Sequence, residues 1–313
     1  MDFGIADLDV PPLALGTMYF GTTVPRADAL VCLDEAFELG ARFWDTANNY
    51  AFWAGGTGDE SESTIGAWLA ARGPSAREAV VLATKIGARP RRPGSGLSHT
   101  QGLSRTAIRE QVAGSLRRLG VDDVDVLYAH IDDHDVPLGE TLGALGELVD
   151  EGWTRQIAAS NLTPDRLREA MTTPAAHSYA ALQQRFTYLR PEPGADLAPH
   201  VLLDDDCQMV CMEQGLTMLG YSPLLSGAYT RPDRPLPTGY SASAGALTAL
   251  RDVASAHSLD AGQAVLAWMT GRHMPVLPVV GVSSPRQVRS AWAATMTRLD
   301  PDELLRLENA RDR

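Results

Sequence analysis

Short apolar runs alternate along the chain with longer segments whose apolar residues recur every three to four positions, the pattern of buried strands feeding amphipathic crossover helices. The runs predict strands at Leu13–Gly16, Arg42–Thr46, Val80–Thr84, Val124–Tyr128, Gln156–Ala159, Ala181–Gln184, Thr217–Tyr221 and Val276–Val280. Behind them the pattern predicts helices at Arg26–Leu39, Glu60–Ala71, Arg105–Leu119, Leu138–Asp150, Pro164–Ala170, Asp204–Gln214, Ala244–His257 and Pro285–Ala294. Two more helical segments, Ala261–Thr270 and Pro301–Arg311, stand outside that repeat. No G-x-G-x-x-G turn follows the first strand, so eight such units predict an α/β chain closed into a (β/α)8 TIM barrel rather than an open dinucleotide-binding sheet. The expectation is a single domain over residues 1–313 with extra C-terminal helices. Two connections are long and rich in Pro and Gly, Ala88–Ser104 and Leu225–Ser243. They follow the third and seventh strands, so they are expected to wall or cover the barrel mouth.

Composition narrows the function classes. With 44% hydrophobic and 21% charged residues the chain can bury a large core, and a formal charge of -12 works against nucleic acid or an acidic membrane as partner. Cys32, Cys207 and Cys211 are an odd number with no spaced framework, which fits a reducing compartment better than a disulfide scaffold. The opening MDFGIADLDV has early acidic residues and no apolar core of signal length, and no later run of about 18 apolar residues could span a bilayer. A cytoplasmic location is therefore expected, with the oligomeric state open.

Four residue types fall in chain order at or just past the ends of predicted strands two to four: Asp45 and Tyr50 in FWDTANNY, Lys85 in VVLATKIG, and His130 in DVLYAHIDD. Strand C-termini are where barrels carry catalytic groups. A phenol, with a pKa of about 10 in water, can protonate a carbonyl oxygen when its conjugate base is stabilised. An ammonium roughly 4 Å away, at an effective dielectric of about 20, is expected to lower that phenol by about three units. Asp45 would keep the buried Lys85 charged, and His130 would orient the substrate oxygen or relay a proton. The loop AFWAGGTG places Phe52 and Trp53 beside Tyr50 and His130 as pocket walls suited to an aromatic or ring-shaped carbonyl compound. Asp132, Asp133, Arg89, Arg91 and Arg92 would instead favour a polar one, such as a keto sugar. Trp44, next to Asp45 within the strand, is expected to point away from it.

These motifs resemble the aldo-keto reductase family over nearly the whole chain. DTANNY has the family's Asp-x4-Tyr spacing, the lysine ends the next strand and a histidine the one after. The resemblance implies an NADPH/NADP+ cofactor and further contacts. ETLGALGELVDEGWTRQIAASN is similar to the family segment whose Ser-Asn pair, here Ser160 and Asn161, holds the nicotinamide carboxamide. Gln183, or its neighbour Gln184, stands where a carboxamide-binding glutamine is expected. In GYSPLLSG, Tyr221 resembles the aromatic that stacks on the nicotinamide, with Ser222, Leu224, Ser226 and Gly227 along the pyrophosphate path. LALGTM implies that Gly16, Thr17 and Met18 touch the cofactor, as does Asp45. VVGVSSPRQVRSAW resembles the 2′-phosphate and adenine site, implying Gly281, Ser283, Ser284, Arg286 (or Arg289) and Gln287. Ser290 and Ala291 depart from the acid and asparagine often found there, and Thr154 and Ala158 from a lysine and a glycine.

Each motif also has a plainer reading. An aspartate five positions before a tyrosine is common by chance, and Tyr221 alone would be a half-buried barrel aromatic; the ordered set on successive strands carries the argument. HIDDH invites a metal, yet His130 ends a strand and His134 lies in the loop beyond it, so no metal is expected. Cys207 and Cys211 read as helix packing or exposed thiols, and Met209, Met212 and Met218 as core or helix-face residues. Two other classes remain open: a non-catalytic nicotinamide-binding regulatory subunit, as among channel β-subunits of the same family, and a different barrel enzyme, a metal-dependent lyase or an aldolase using Lys85 as a Schiff base.

Overall fold

The computed structural model describes residues 3–92, 95–231, 233–241 and 243–311. Eight parallel strands close into a barrel in chain order: β3 (Ala14–Gly16), β4 (Phe43–Asp45), β5 (Val81–Ile86), β6 (Val124–Ala129), β7 (Thr154–Ser160), β8 (Ala181–Arg185), β9 (Thr217–Tyr221) and β10 (Leu277–Gly281), with β10 pairing back to β3. This is the predicted (β/α)8 fold, with boundaries within two residues of those read from the chain.

Side-chain alternation along the strands sorts the residues into two layers. Ala14, Phe43, Ala83, Val126, Ala158, Ala181, Leu219 and Leu277 fill the barrel interior, whereas Leu15, Trp44, Leu82, Leu127, Ile157, Leu182 and Val280 pack outward against the helices. Trp44 turns away from Asp45 as expected, its ring edge-on to Trp68 at 4.7 Å. Two residues beyond these interior positions, on the same side of the strand, come Gly16, Asp45, Lys85, Tyr128, Ser160, Gln183 and Tyr221, with the apolar Val279 on β10 as the exception. One parity therefore builds an apolar floor and a polar layer above it.

The floor itself is closed by a hairpin that sequence patterning did not detect. Strands β1 (Phe3–Ile5) and β2 (Leu8–Val10) pair antiparallel through a tight turn with Ala6 at φ 51°. Phe3, Ile5, Leu8 and Val10 are buried in the interior cluster, the Thr217 hydroxyl donates to the Gly4 carbonyl, and Gln156 Nε2 donates to Asp7 Oδ1 at 2.6 Å.

The helix ring contains α1 (Arg26–Leu39), α2 (Glu60–Arg72), α3 (Pro74–Glu78), α4 (Arg105–Leu119), α5 (Leu138–Asp150), α6 (Pro164–Thr172) and α7 (Asp205–Gln214). Helices α8 (Ala244–Ala256), α9 (Ala261–Gly271), α10 (Pro285–Met296) and α11 (Pro301–Arg311) complete the chain. Local chemistry sets several ends: Ser104 accepts from Ala107 N to open α4, and Gly120 at φ 66° closes it. The expectation that α8 is the crossover helix and α9 an extra is reversed. Residues Ala264–Thr270 of α9 are all buried, because α9 lies against β10 and α10 with α8 and α11 outside it. The extra layer is the α8–α11 pair. Cys32, Cys207 and Cys211 are buried, which removes the exposed-thiol reading, whereas Met209 and Met212 face solvent. Among the described residues no helix is long and apolar enough to cross a membrane.

Candidate active site

Asp45 and Lys85 point inward above the floor, both wholly buried. Lys85 donates all three of its protons: to Asp45 Oδ2, to the Thr46 carbonyl at 3.1 Å and to the Tyr50 hydroxyl at 2.6 Å. Past β4 the chain keeps the sheet pairing for three more residues, Thr46 N donating to Ala83 O and Asn48 N to Lys85 O, and then turns over the rim. Asn48 anchors that turn on Gln111 at 3.1 Å and Asn49 on the Ala88 carbonyl at 3.0 Å, with Ala51 left-handed at φ 60°. Tyr50 is thereby folded back over the ion pair, its hydroxyl donating to Asp45 Oδ2 at 3.2 Å.

The electrostatics differ from the sequence expectation. Burial first, and then the Asp45 charge, push the Tyr50 phenol well above its ordinary value, so the hydroxyl holds its proton at rest. The pull of Lys85 in the other direction is largely cancelled by the carboxylate it pairs with, so burial decides the direction. Burial also draws Lys85 below the usual lysine value, a pull that Asp45 resists. With every Nζ proton engaged, Lys85 has no nucleophilic lone pair for a Schiff base, which argues against the aldolase reading.

His130 follows β6, its ring edge-on to Tyr50 with centroids 5.8 Å apart. Burial, then the Lys85 charge, hold its imidazole well below the usual range, so it is neutral near pH 7, and Nδ1 is buried without a hydrogen-bond partner. The two glutamines separate by parity. Gln183 faces the interior and donates to Asp45 Oδ1 at 2.8 Å; Gln184 faces outward and bonds Leu162 O and Asn161 N. Asn161, left-handed at φ 57°, lies beside Ser160 at 3.0 Å, donates to the His130 carbonyl and accepts from the Tyr221 hydroxyl at 2.7 Å. His200, which no sequence signal marked, sits 3.0 Å from that same hydroxyl.

The rim carries the remaining cofactor candidates. Gly16 pairs with Gly281; Thr17 is buried, its hydroxyl on the Asp45 carbonyl and on Ser61, its N–H donating to Asp45 O and its carbonyl accepting from Phe20 N; Met18 is half-buried. Ser222, Leu225, Ser226 and Gly227 all have positive φ, three of them non-glycine residues at roughly 1–3 kcal/mol of strain each, a concentration that marks ligand-binding backbone. Leu224 is half-buried between them. At the start of α10, Ser284 makes no side-chain capping bond; Pro285 has no N–H and Gln287 N donates to Ser284 O, so the Arg286 N–H is the first-turn donor left for an anion. Ser283 N and Oγ donate to Gln287 Oε1 at 2.7 and 3.0 Å. Arg289 is tied to Glu35 at 2.6 Å, whereas Arg286 is exposed and makes no ion pair among the described residues. Strained backbone, an open helix donor and a cation without an ion pair among the described residues form a set that fits a phosphate-bearing dinucleotide.

The Aldo/keto reductase family model matches residues 12–312. The chain belongs to the aldo/keto reductase family. Aldo-keto reductase str7 of Strobilurus tenacellus is 29% identical, over 91% of this chain and 82% of its own. Aldo-keto reductase yakc of Schizosaccharomyces pombe, whose name carries NADP(+), is 27% identical over 97% and 89%. In structure, an aldo-keto reductase from Klebsiella pneumoniae in complex with NADPH superposes with a TM-score of 0.74 at 24% identity, over 97% of this chain and 92% of that one.

As an aldo/keto reductase the chain is a nicotinamide-dependent oxidoreductase, and its mouth bears on substrate choice. Phe52 and Trp53 lie edge-on at 5.0 Å, and Trp53 is 51% exposed, so the pair presents an aromatic surface to solvent. The charged loop residues are mostly engaged elsewhere. Arg89 binds Asp59 at 2.5 Å and the Asn48 carbonyl, Asp132 pairs with Arg166 at 2.9 Å, and Asp133 accepts from Leu103 N at 2.7 Å. Arg91 donates to the Thr100 carbonyl at 2.6 Å in a loop closed by the Pro90–Thr100 bridge, and Arg92 is exposed. The predicted wall over 88–104 and cover over 225–243 include Pro93, Gly94, Pro232 and Ala242, which lie outside the described residues. No cluster of three or more metal-ligating side chains occurs among the described residues; His134 is exposed and Asp132 is engaged with Arg166.

Proposed function

We propose that the chain reduces an aldehyde or ketone to an alcohol with NADPH, Tyr50 giving the proton to the carbonyl oxygen. The observation that carries this reading is the Tyr50 hydroxyl held between Lys85 Nζ at 2.6 Å and Asp45 at 3.2 Å in a buried layer. When bound, the reduced nicotinamide supplies the hydride to the carbonyl carbon. The chain's own residues do the rest. Tyr50 is protonated at rest, which a proton donor requires, and the alkoxide formed on reduction is a far stronger base than a phenolate, so transfer runs downhill even from a raised phenol. The phenolate left behind already accepts from Lys85. Neutral His130 donates to the same carbonyl oxygen and fixes its position.

Gln183, Ser160 and Asn161 hold the carboxamide, Tyr221 the nicotinamide face, and the 222–227 backbone the pyrophosphate. Arg286 and the α10 N-terminus take the 2′-phosphate. The unpaired Arg286 and the NADP-linked relatives support NADPH over NADH. Phe52 and Trp53 favour an aromatic or other apolar carbonyl over a polar one, since most of the charges that would recognise the latter are committed to loop contacts. The test is NADPH oxidation against a panel of aromatic, aliphatic and sugar carbonyls, compared with Tyr50→Phe. Turnover that Tyr50→Phe lowers by several orders of magnitude is expected; a folded, NADPH-binding protein inert to every carbonyl would overturn the reading in favour of a regulatory subunit.

A further inference from the structure

Arg185 extends the interior parity of Ala181 and Gln183 to the rim of β8, where it pairs in register with Tyr221 of β9. It is half-buried, and among the described residues it makes no ion pair. Its polar partner is the Tyr240 hydroxyl, 3.1 Å from Nε, and its guanidinium lies 5.2 Å from the centre of the same ring. Both sides of its backbone are pinned, N to the Val201 carbonyl and O to Leu203 N. The two neighbouring arginines differ. Arg190 pairs with Asp205 at 3.4 Å, and Arg311 donates to the Tyr188 carbonyl while lying over Phe186 and Trp268. Arg185, Arg190, Arg311 and Tyr240 line a cavity of about 290 Å³, with Glu192 and Asp204 on its walls; Asp204 accepts from Cys207 N as the cap of α7.

A cation taken partly out of water without a carboxylate is costly unless something anionic completes it. Here the guanidinium is also held in one orientation by an aromatic face, with donors left over for two-point contact. We propose that Arg185 is an anion-binding residue of the barrel mouth, presenting its guanidinium beside Tyr221 to a phosphate or carboxylate group of the bound reactants. This rests on the reductase reading above, because it places the anion next to the nicotinamide-side aromatic. The group belongs either to the cofactor's phosphates or to an acidic tail on the carbonyl substrate.

The experiment uses the full chain and Arg185→Met, with Arg185→Lys as the charge-keeping control. Benzaldehyde and 4-carboxybenzaldehyde are compared with NADPH, and NADPH and NADH are titrated by fluorescence. If the anion is the substrate's, Arg185→Met lowers the ratio of kcat/KM for the carboxylated over the neutral aldehyde by about ten- to a hundredfold, the loss of one charge-assisted contact. If it is the cofactor's, the same variant raises Kd for both NADPH and NADH by a similar factor and leaves that ratio as it was. Lys at this position recovers part of either effect. A folded Arg185→Met protein with both the ratio and the two Kd values of the parent overturns the proposal. Failure of the reductase reading itself would show separately, as absence of benzaldehyde turnover in the parent chain.

Discussion

Removing Lys85 alone should be worse than removing Lys85 and Asp45 together. At an effective dielectric of about 20, Lys85 Nζ at 2.6 Å stabilises a Tyr50 phenolate by about 6 kcal/mol, and the Asp45 carboxylate at 3.2 Å opposes it by about 5 kcal/mol, a net of roughly 1 kcal/mol. That near-cancellation is why burial decides the phenol's resting state. Lys85→Met removes the favourable part and keeps the opposing one. Allowing for only partial charge on Tyr50 in the transition state, reduction should slow by about 10³-fold, from roughly 1.4 kcal/mol per decade. It also leaves a wholly buried carboxylate unpaired, at about 3–5 kcal/mol of stability. In Asp45→Asn/Lys85→Met both charges go, so the melting temperature should return close to the parent's and turnover should fall by only about fivefold, the net term above. Single-turnover NADPH oxidation with a reactive aldehyde and thermal unfolding of all four proteins give the cycle. A double variant as slow as Lys85→Met would refute the opposing-charge argument.

Because burial draws Lys85 below its ordinary 10.5, the ammonium loses its proton first as pH rises, and the reduction rate should fall on the alkaline side before that value; Asp45→Asn should move the fall to lower pH in a rate–pH profile. His130 refuses a proton that the unfolded chain accepts below its ordinary 6.5, so stability should decline as pH drops through that value. His130→Gln should flatten urea-derived stability across that range by up to about 1.4 kcal/mol per pH unit. Ile5→Ala, in a wholly buried hairpin position, should cost about 2–5 kcal/mol in urea unfolding; a change below 0.5 kcal/mol would mean the hairpin does not hold the floor.

The barrel was legible because its strands and helices repeat with different periods, and the candidate site because Asp45, Lys85 and His130 fall at successive strand ends. Helices α1, α4 and α11 begin and end where periodicity places them. What was not legible depends on contacts made far away in sequence. The hairpin strands are three residues each and acquire a buried face only against the barrel floor. Whether α8 or α9 joins the ring depends on α11 covering α8, which no local pattern records. The Tyr50 phenol was expected to fall and instead rises, since its two charged neighbours act at nearly equal distances with opposite sign. Arg185 carries no sequence signal, because what sets it apart is that it makes no ion pair among the described residues, which depends on where its neighbours lie.

The β1–β2 hairpin extends the packed interior downward and covers it. Phe3, Ile5, Leu8 and Val10 join the apolar layer beneath Asp45 and Lys85 and keep water off its underside. Asp45 and Lys85 therefore rest on a dry, low-dielectric base, where each charge interaction acts more strongly than it would in water. An eight-residue segment, Phe3–Val10, at the opposite end of the barrel thus contributes to the electrostatics of the mouth.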